Sequence, residues 1–373
     1  MKASIVINNY NYAHFLNQAI ESALGQTHRN TEVIVIDDGS TDHSAEIIRS
    51  YGSRVIAVFK SNGGQSSCYD RGYEVASGDL VLFLDADDYL HPHCISEVIN
   101  HWKEGCVKAH FYLEVVDEDG GRIDAVVPSG RLSHGNNPLK MMHLFGAYCS
   151  PPGSGNVYSR DFLSQILPRQ RSEEFRRFEA IHFGGDSVPI LAAPSFGRIE
   201  AIPQILGVYR RHANAAGGVT SVFQAEVGIR ILEREYQKDL IRDRAWRSVV
   251  RETQTPKFSE PSRLKRHMCY LRLAGRRLDA ADSRLALAAK GVISSIWWDG
   301  YSWMQKLAAA GWFVGMAILP SKITKILIPA ALGISNRAPR FKRFLQARRT
   351  VNLRPQQRAS IRDGGPSKAH NSP

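Results

Sequence analysis

The chain has 373 residues, 43% of them hydrophobic and 23% charged, with a net charge of +12. That is an ordinary globular balance, long enough for one large domain with an extension or for two domains. Cys68, Cys94, Cys106, Cys149 and Cys269 show no paired spacing, which argues against a disulfide framework or a zinc cluster and fits a reducing cytosol. The charge is unevenly placed. Residues 1–220 hold 19 Lys and Arg against 25 Asp and Glu, a net −6, and residues 221–373 hold 29 against 11, a net +18. Two parts with different partners are expected.

Met1 leads straight into Ile5-Val6-Ile7, read as a buried strand. No basic segment or cleavage site precedes it, so no signal peptide is expected. Residues 14–24 carry Phe15, Leu16, Ile20 and Leu24 at helical spacing. Val33-Ile34-Val35-Ile36 runs into Asp37-Asp38-Gly39-Ser40, and Thr41-Asp42 is placed to cap a helix through Ile47-Ile48. Val55-Ile56-Ala57-Val58 and Leu80-Val81-Leu82-Phe83-Leu84 are the third and fourth strands. Strands apolar throughout and alternating with helices imply an α/β fold, a mostly parallel sheet covered on both faces. Ligands of such sheets bind beyond the carboxyl ends of the strands. Those ends carry Asn8-Asn9, Asp37-Asp38, Ser61-Asn62 and Asp85-Ala86-Asp87-Asp88.

Further along, Asp117-Glu118-Asp119-Gly120-Gly121 reads as a hairpin turn, and Ser150-Pro151-Pro152-Gly153-Ser154-Gly155 as a loop before a strand at Asn156-Val157-Tyr158. Composition then shifts. Residues 224–251 read as a charged helix, 263–290 as Arg/Ala/Leu-rich helical segments, and 293–334 as rich in Trp, Ala, Leu and Ile. Residues 351–373 are polar, with Pro, Gly and Ser, and are expected to be disordered.

Two clusters carry chemistry. Asp85, Asp87 and Asp88 follow a buried strand, where carboxylates plus substrate phosphates can hold a hard divalent ion. Such an ion would neutralise charge on a departing diphosphate. The alternative is an acidic turn that caps the next helix. At Asp37-Asp38-Gly39-Ser40 a carboxylate can accept from a base ring N–H while the turn offers backbone donors; the alternative is a strand, turn and capping box without a ligand.

In order and spacing, Asn8-Asn9-Tyr10-Asn11, Asp37-Asp38-Gly39-Ser40, Asn62-Gly63-Gly64-Gln65-Ser66 and Asp85-Ala86-Asp87-Asp88 resemble the family 2 glycosyltransferases of the GT-A fold. The phrases Glu21-Ser22-Ala23-Leu24-Gly25-Gln26-Thr27 and Ala76-Ser77-Gly78-Asp79 match that family's wording. The resemblance covers roughly residues 1–215 and implies an inverting transferase with a Rossmann-like nucleotide-binding domain. It puts Asn8, Tyr10, Asp38, Asn62 and Asp85 at the donor, Asp87 on a divalent metal (Mg²⁺ or Mn²⁺), and Asp186 of Gly184-Gly185-Asp186 as general base. Tyr209-Arg210-Arg211-His212 matches a family stretch near the diphosphate, which adds Arg210 and His212 to the donor site, with His212 also weighed as a metal ligand. An inverting transfer is one displacement and needs one carboxylate to take the acceptor hydroxyl proton. Asp186 has a plain alternative as helix N-cap, and Arg210, Arg211 and His212 as a solvated basic strand end. The chain departs from the family at Cys68-Tyr69-Asp70-Arg71-Gly72, where Tyr69 and Asp70 replace an arginine and an asparagine. Arg71, one position along, is turned about 100° on a helix.

In the rear half, Trp297, Trp298, Tyr301, Trp303 and Trp312 accompany apolar runs at 307–319 and 326–334. Each run is shorter than the about 20 apolar residues that span a bilayer. Together with Lys322 and Lys325 they fit a basic, amphipathic, interfacial segment, against the alternative of a helical subdomain with the tryptophans as core. The expected organisation is a catalytic domain over 1–220, a helical basic extension over 221–350 at the membrane surface, and a tail over 351–373. The protein is placed in the cytoplasm, peripheral at the inner face of the membrane. Expected partners are a nucleotide-sugar donor, with uridine as its base, a lipid-linked or glycan acceptor and the membrane surface; nucleic acid is not expected, since no nucleic-acid motif accompanies the charge. A catalytically weak relative acting as a membrane-associated assembly partner is the rival, supported by Tyr69-Asp70. Nucleotidyl transfer is disfavoured, because residues 8–12 lack a Gly-rich, lysine-bearing loop.

Overall fold

The computed structural model describes residues 1–167, 185–212, 225–250, 256–257, 259–280 and 282–331. Gly184, residues 332–350 and the expected tail at 351–373 lie outside the described residues. The front half alternates as read: β1 (Ala3–Asn9), α1 (Ala13–Leu24), β2 (Thr31–Asp37), α2 (Ser44–Ser50), β3 (Ile56–Phe59), α3 (Gln65–Val75) and β4 (Leu80–Asp85). β1 pairs in parallel with β2 and β4, and β2 with β3. Successive side chains leave a strand on opposite faces. Ile5 and Ile7 therefore join Leu16, Ile20 and Val98 in one apolar layer, while Val6 and Phe83 join Tyr69 and Phe162 in the other. Burying each such side chain contributes about 1.5–3 kcal/mol. The cap position of α2 falls to His43, without a side-chain bond, rather than to Thr41-Asp42 as expected, but Asp42 accepts from the backbone N–H of Ser44 and of Ala13 at 3.0 Å each. One carboxylate thus serves the first turns of α1 and α2. The third strand departs from the expectation of cover on both faces: β3 is the edge strand, and Ile56 and Phe59 are exposed.

The chain continues with β5 (Tyr89–Leu90), α4 (Cys94–His101), β6 (Cys106–Val116), β7 (Arg122–Val127), α5 (Asn137–Phe145), β8 (Asn156–Ser159), α6 (Arg160–Ile166), α7 (Ser187–Ala192) and β9 (Arg198–Arg210). The sheet runs β3-β2-β1-β4-β8-β6-β9-β5, with β7 hairpinned onto β6 through the Asp117–Gly121 turn. β8 is antiparallel to both its neighbours, and β5 and β7 are antiparallel to β9 and β6. The remaining six strands run one way, so the sheet is mostly parallel, as GT-A sheets are. The two phrases shared with the family around Gln26 and Gly78 are structural clasps. Gln26 bonds Ser22, His91 and Ile95 backbone groups, and the Gly78 N–H donates to Ser4 Oγ.

Beyond the sheet lie α8 (Ala225–Val250), α9 (Pro261–Ala274), α10 (Arg284–Trp297), α11 (Trp303–Ile318) and α12 (Ser321–Ala331). They have a core of their own, in which Leu232, Leu264, Met268, Leu287, Phe313 and Ile328 meet. Gly291 allows α10 and α11 to close, since a Cβ there would sit 2.3 Å from the Phe313 ring. The tryptophans divide between the two readings. Trp298 enters the front half's core, edge-on to Phe145 at 5.3 Å, and Trp312 packs partly against the helical core. Trp297 and Trp303 are exposed. Beside Trp298, Asp299 accepts from Ser133 Oγ at 2.7 Å and Asn137 Nδ2 at 2.6 Å, which fastens the extension to the front half. No described helix is long and apolar enough to cross a membrane.

Candidate active site

The parallel register sets Asn8 beside Asp85, and Asn8 Nδ2 donates to Asp85 Oδ1 at 2.8 Å. Gln65, at the start of α3, donates to the same oxygen at 2.7 Å and accepts the Gly185 N–H at 2.9 Å. It thereby ties the end of β4 to the residue before Asp186. Asp186 precedes α7, yet its side chain makes no capping bond. Its Oδ2 instead accepts the Gly153 N–H at 3.0 Å. A Cβ at Gly153 would lie 3.1 Å from the Tyr69 hydroxyl, 3.4 Å from Asp186 Cβ and 3.5 Å from Asp85 Oδ2. These three groups therefore gather around one point, with the Tyr69 hydroxyl the tightest against it. Burial pushes the Asp186 carboxyl above the usual carboxylate range, held back by the bonds from Gly153 and Ser187, which moves it toward the range a general base uses.

Ligand oxygens of Asp85, Asp87 and Asp88 lie within 4.8 Å of one another. Asp88 is committed to the fold: Oδ1 takes the Arg210 N–H at 2.8 Å and Oδ2 takes Ser154 Oγ–H at 2.6 Å. Asp87 Oδ2 meets His212 Nε2 at 2.8 Å. Burial, then the charges of Asp87 and Asp186, push Asp85 well above the carboxylate range, and burial with Asp87 and Asp85 does the same to Asp88. Gathering like charges out of water is costly unless a cation joins them. An all-oxygen donor pair from Asp85 and Asp87, with Asp88 fixed behind it, fits a hard divalent ion. The capping alternative for this turn does not occur, because the next helix, α4, is capped at His93 without a side-chain bond.

The other expected donor residues are placed differently. Asn8 Oδ1 is buried and has no partner among the described residues, an acceptor open toward a ligand's donor. Asp38 is 3% exposed. It is clasped by the Lys60 ammonium and by the amides of Gly63 at 2.9 Å and Gly64 at 2.8 Å. Gly39 makes that clasp possible, with a φ of +75° and only 2.8 Å between an added Cβ and Asn62 N. Tyr10 and Asn62 are exposed. Arg210 is the residue expected to clamp a diphosphate. Its guanidinium turns inward to the carbonyls of Asp87, Asp117 and Glu118 and to Gln18 Oε1 at 2.7–3.3 Å, stacked on Phe15 at 4.6 Å. Buried arginine donors must be spent on acceptors, and here they fix the Asp87 turn. The structure thus gathers Asn8, Asp85, Asp87, His212 and Asp186 along one edge.

Residues without an assigned role in the sequence reading complete the site. Gln65 and Ser154 bond the carboxylates directly. Tyr69 stacks on Phe83 at 3.8 Å, and its buried hydroxyl has no partner among the described residues. Lys108, fully buried on β6, donates to Tyr148 OH and Ser150 Oγ at 2.8 Å each, and Tyr148 OH donates to the Ile190 carbonyl of α7 at 2.6 Å. It braces both segments that hold Asp186. Motif spacing contains no signal for Lys108 or Ser154, because these partners lie 40 to 69 residues away.

Residues 4–167 match the family model described as glycosyl transferase family 2. An uncharacterized glycosyltransferase of Nostoc sp. is 30% identical over 253 residues, 65% of this chain and 76% of that protein. An uncharacterized glycosyltransferase of Haemophilus influenzae is 35% identical over 136 residues, 35% of this chain and 54% of that protein. Among solved structures, S. aureus TarS 1–349 in complex with UDP-GlcNAc is similar with a TM-score of 0.45 and 17% identity, over 93% of this chain and 92% of that one. Extended similarity across the stretch that builds the carboxylate edge makes this chain a glycosyltransferase, a member of glycosyl transferase family 2.

Proposed function

We propose that the chain transfers a sugar, with inversion, from a nucleotide-sugar donor (a UDP-sugar) to a lipid-linked or glycan acceptor at the inner face of a membrane. The observation that carries this reading is the closure of Asp85 and Asp186 on either side of Gly153, beside Asp87. Asp186 takes the acceptor hydroxyl proton as that oxygen attacks the anomeric carbon, and the nucleoside diphosphate leaves. Asn8 and Gln65 orient Asp85 toward the donor, and the open Asn8 Oδ1 accepts from the nucleoside. Asp85 and Asp87 would hold Mg²⁺ or Mn²⁺, which supplies charge neutralisation for the diphosphate. His212 orients Asp87, and Arg210 holds that turn in place. Asp38 carries the base-reading role through its clasp with Lys60 and the Gly63 and Gly64 amides, with Tyr10 and Asn62 exposed at the rim.

Residues 1–220 form the catalytic domain in this reading, and 221–350 the extension that meets the membrane. Support comes from α10 to α12, where Trp303 is 68%, Leu307 63% and Ile326 76% exposed. Apolar side chains so far out of any core, on basic helices, suit the headgroup region. Tyr69 and Asp70, on which the assembly-partner alternative rests, are buried on α3. The test is a binding and turnover screen of UDP-, dTDP- and GDP-sugars with Mg²⁺ or Mn²⁺, on wild type and Asp87→Ala. Metal-dependent binding of a UDP-sugar, lost in the variant, is the expected result. A folded protein that binds no donor would sink the reading.

A further inference from the structure

The extension contains a second charged site, far in kind from the carboxylate edge. Where α9 ends and α10 and α12 begin, a cleft of about 630 Å³ is lined by Arg272, Arg276, Arg277, Arg284, Ser321 and Lys325 among others, and, among the described residues, by no carboxylate. Arg276 is neutralised by Glu233 at 2.7 Å. The others have no ion pair among the described residues. Arg272, 7% exposed, donates to Thr324 Oγ1 and the Leu319 carbonyl. Arg277 donates to the Ala280 carbonyl, and Arg284 and Lys325 have no ion-pair partner among the described residues. Burial and then the Arg284 charge press the Arg272 guanidinium below its ordinary value. The starts of α10 and α12 and the ends of α9 and α11 meet here, so the helix dipoles offset one another. What remains is four cationic side chains around one space. Arginine forks suit phosphate oxygens.

Position supplies the second half of the argument. Leu285 follows Arg284, and Ile326 follows Lys325, with exposures of 72% and 76%. Cationic cleft and bare apolar side chains therefore share the same turns of α10 and α12. A ligand matching both has a phosphate head and an apolar body. We propose that this cleft binds the phosphate of an anionic membrane lipid. The site deepens the membrane reading above and rests on it for the lipid as source; a soluble phosphate ester has the same head chemistry.

Two measurements on the full chain separate these. One is flotation with phosphatidylcholine vesicles, with and without phosphatidylglycerol; the other is thermal stabilisation by sn-glycerol 1-phosphate. Both are run on wild type, on Arg284→Ala/Lys325→Ala, and on Arg230→Ala/Lys306→Ala, which removes two charges of the extension outside the cleft. Attraction to anionic lipid amounts to about a fivefold change in affinity per basic residue near the surface. The cleft pair is expected to lose more than the about 25-fold that two charges account for on this scale, together with stabilisation by the phosphate ester, while the outside pair keeps that stabilisation. Stabilisation by the ester without vesicle binding would keep the cleft as a phosphate site and overturn the lipid source. Vesicle binding equal in the two pairs, and abolished by Trp303→Asp/Leu307→Asp, would overturn the cleft and leave the membrane reading standing.

Discussion

The two halves of the molecule invert the usual placement of charge and apolar surface. In the front half, carboxylates are gathered inside: Asp85, Asp88 and Asp186 have their charged forms disfavoured by burial. In the rear half, apolar side chains are left outside, on helices whose own core is complete without them. Each exception costs stability in isolation, since buried like charges repel and exposed apolar surface orders water. Each is offset in the functions proposed above: by a cation and diphosphate in front, by an amphiphile behind. In both halves the places that point to function are violations of the burial rule.

The largest expected effect comes from removing the proposed base. Asp186→Asn keeps the shape and the bond from Gly153 while abolishing proton acceptance, so turnover should fall by about 10²–10⁴-fold with donor affinity retained. Single-turnover transfer and donor binding, measured on the same preparation, check both parts. If turnover falls less than tenfold, the proton goes elsewhere and the front half's buried charge needs another account.

Next in size is the joint between the halves. Trp298 belongs by sequence to the rear half and by packing to the front core, against Phe145. Trp298→Ala should destabilise the protein by about 3–5 kcal/mol, as large-to-small core changes do. Thermal unfolding should show the loss in the transition that also abolishes donor binding. Loss confined to a separate helical transition would mean the ring stabilises the extension alone, and would sharpen the boundary between the two regions to a point before residue 298.

Much of the front half was legible because its strands are apolar runs flanked by turn residues. β1, β2 and β4 and the hairpin turn at Asp117–Gly121 stand where periodicity and turn chemistry put them. The exposure of β3 was not legible, because an edge strand and a central one can share the same apolar composition. The resemblance to family 2 brought Asp85, Asp87 and Asp186 forward but says nothing of side-chain direction. Arg210 stands in the expected stretch and points inward, because the turn after β4 offers its fork the Asp87 carbonyl and the β6–β7 hairpin those of Asp117 and Glu118. Gln65, Ser154 and Lys108 act across the fold, through contacts that no local pattern encodes. In the rear half composition alone could not tell core tryptophan from surface tryptophan; Trp298 and Trp297 are neighbours with opposite fates.

The pH response follows from the direction of the Asp186 shift. A base must be deprotonated, and burial raises its pKa, so kcat/KM should rise with pH through a value above the ordinary carboxylate figure of about 4 and change about tenfold per pH unit below it. The stability sign is the opposite. A carboxyl whose folded pKa is raised binds more protons folded than unfolded within that window, so its contribution to stability declines as pH rises through it. Activity and apo stability should therefore move in opposite directions between the ordinary and the raised value. Profiles of kcat/KM and of Tm without metal, taken over the same range, test this; parallel profiles would remove Asp186 from the role of base.

The smallest effect separates a packing residue from a contact. Tyr69 lies under Gly153, stacked on Phe83, and its hydroxyl has no partner among the described residues. An unsatisfied buried hydroxyl costs about 1–3 kcal/mol. Tyr69→Phe keeps the stack and removes that group, so the protein without donor should gain about 1 kcal/mol of stability. If the hydroxyl meets the bound donor, the same change weakens donor binding about fivefold, a single hydrogen bond's worth. Denaturant unfolding with and without the donor distinguishes the cases. A gain in both states makes Tyr69 a packing residue that replaced the family's arginine, and a gain only without donor makes it a donor contact in that arginine's place.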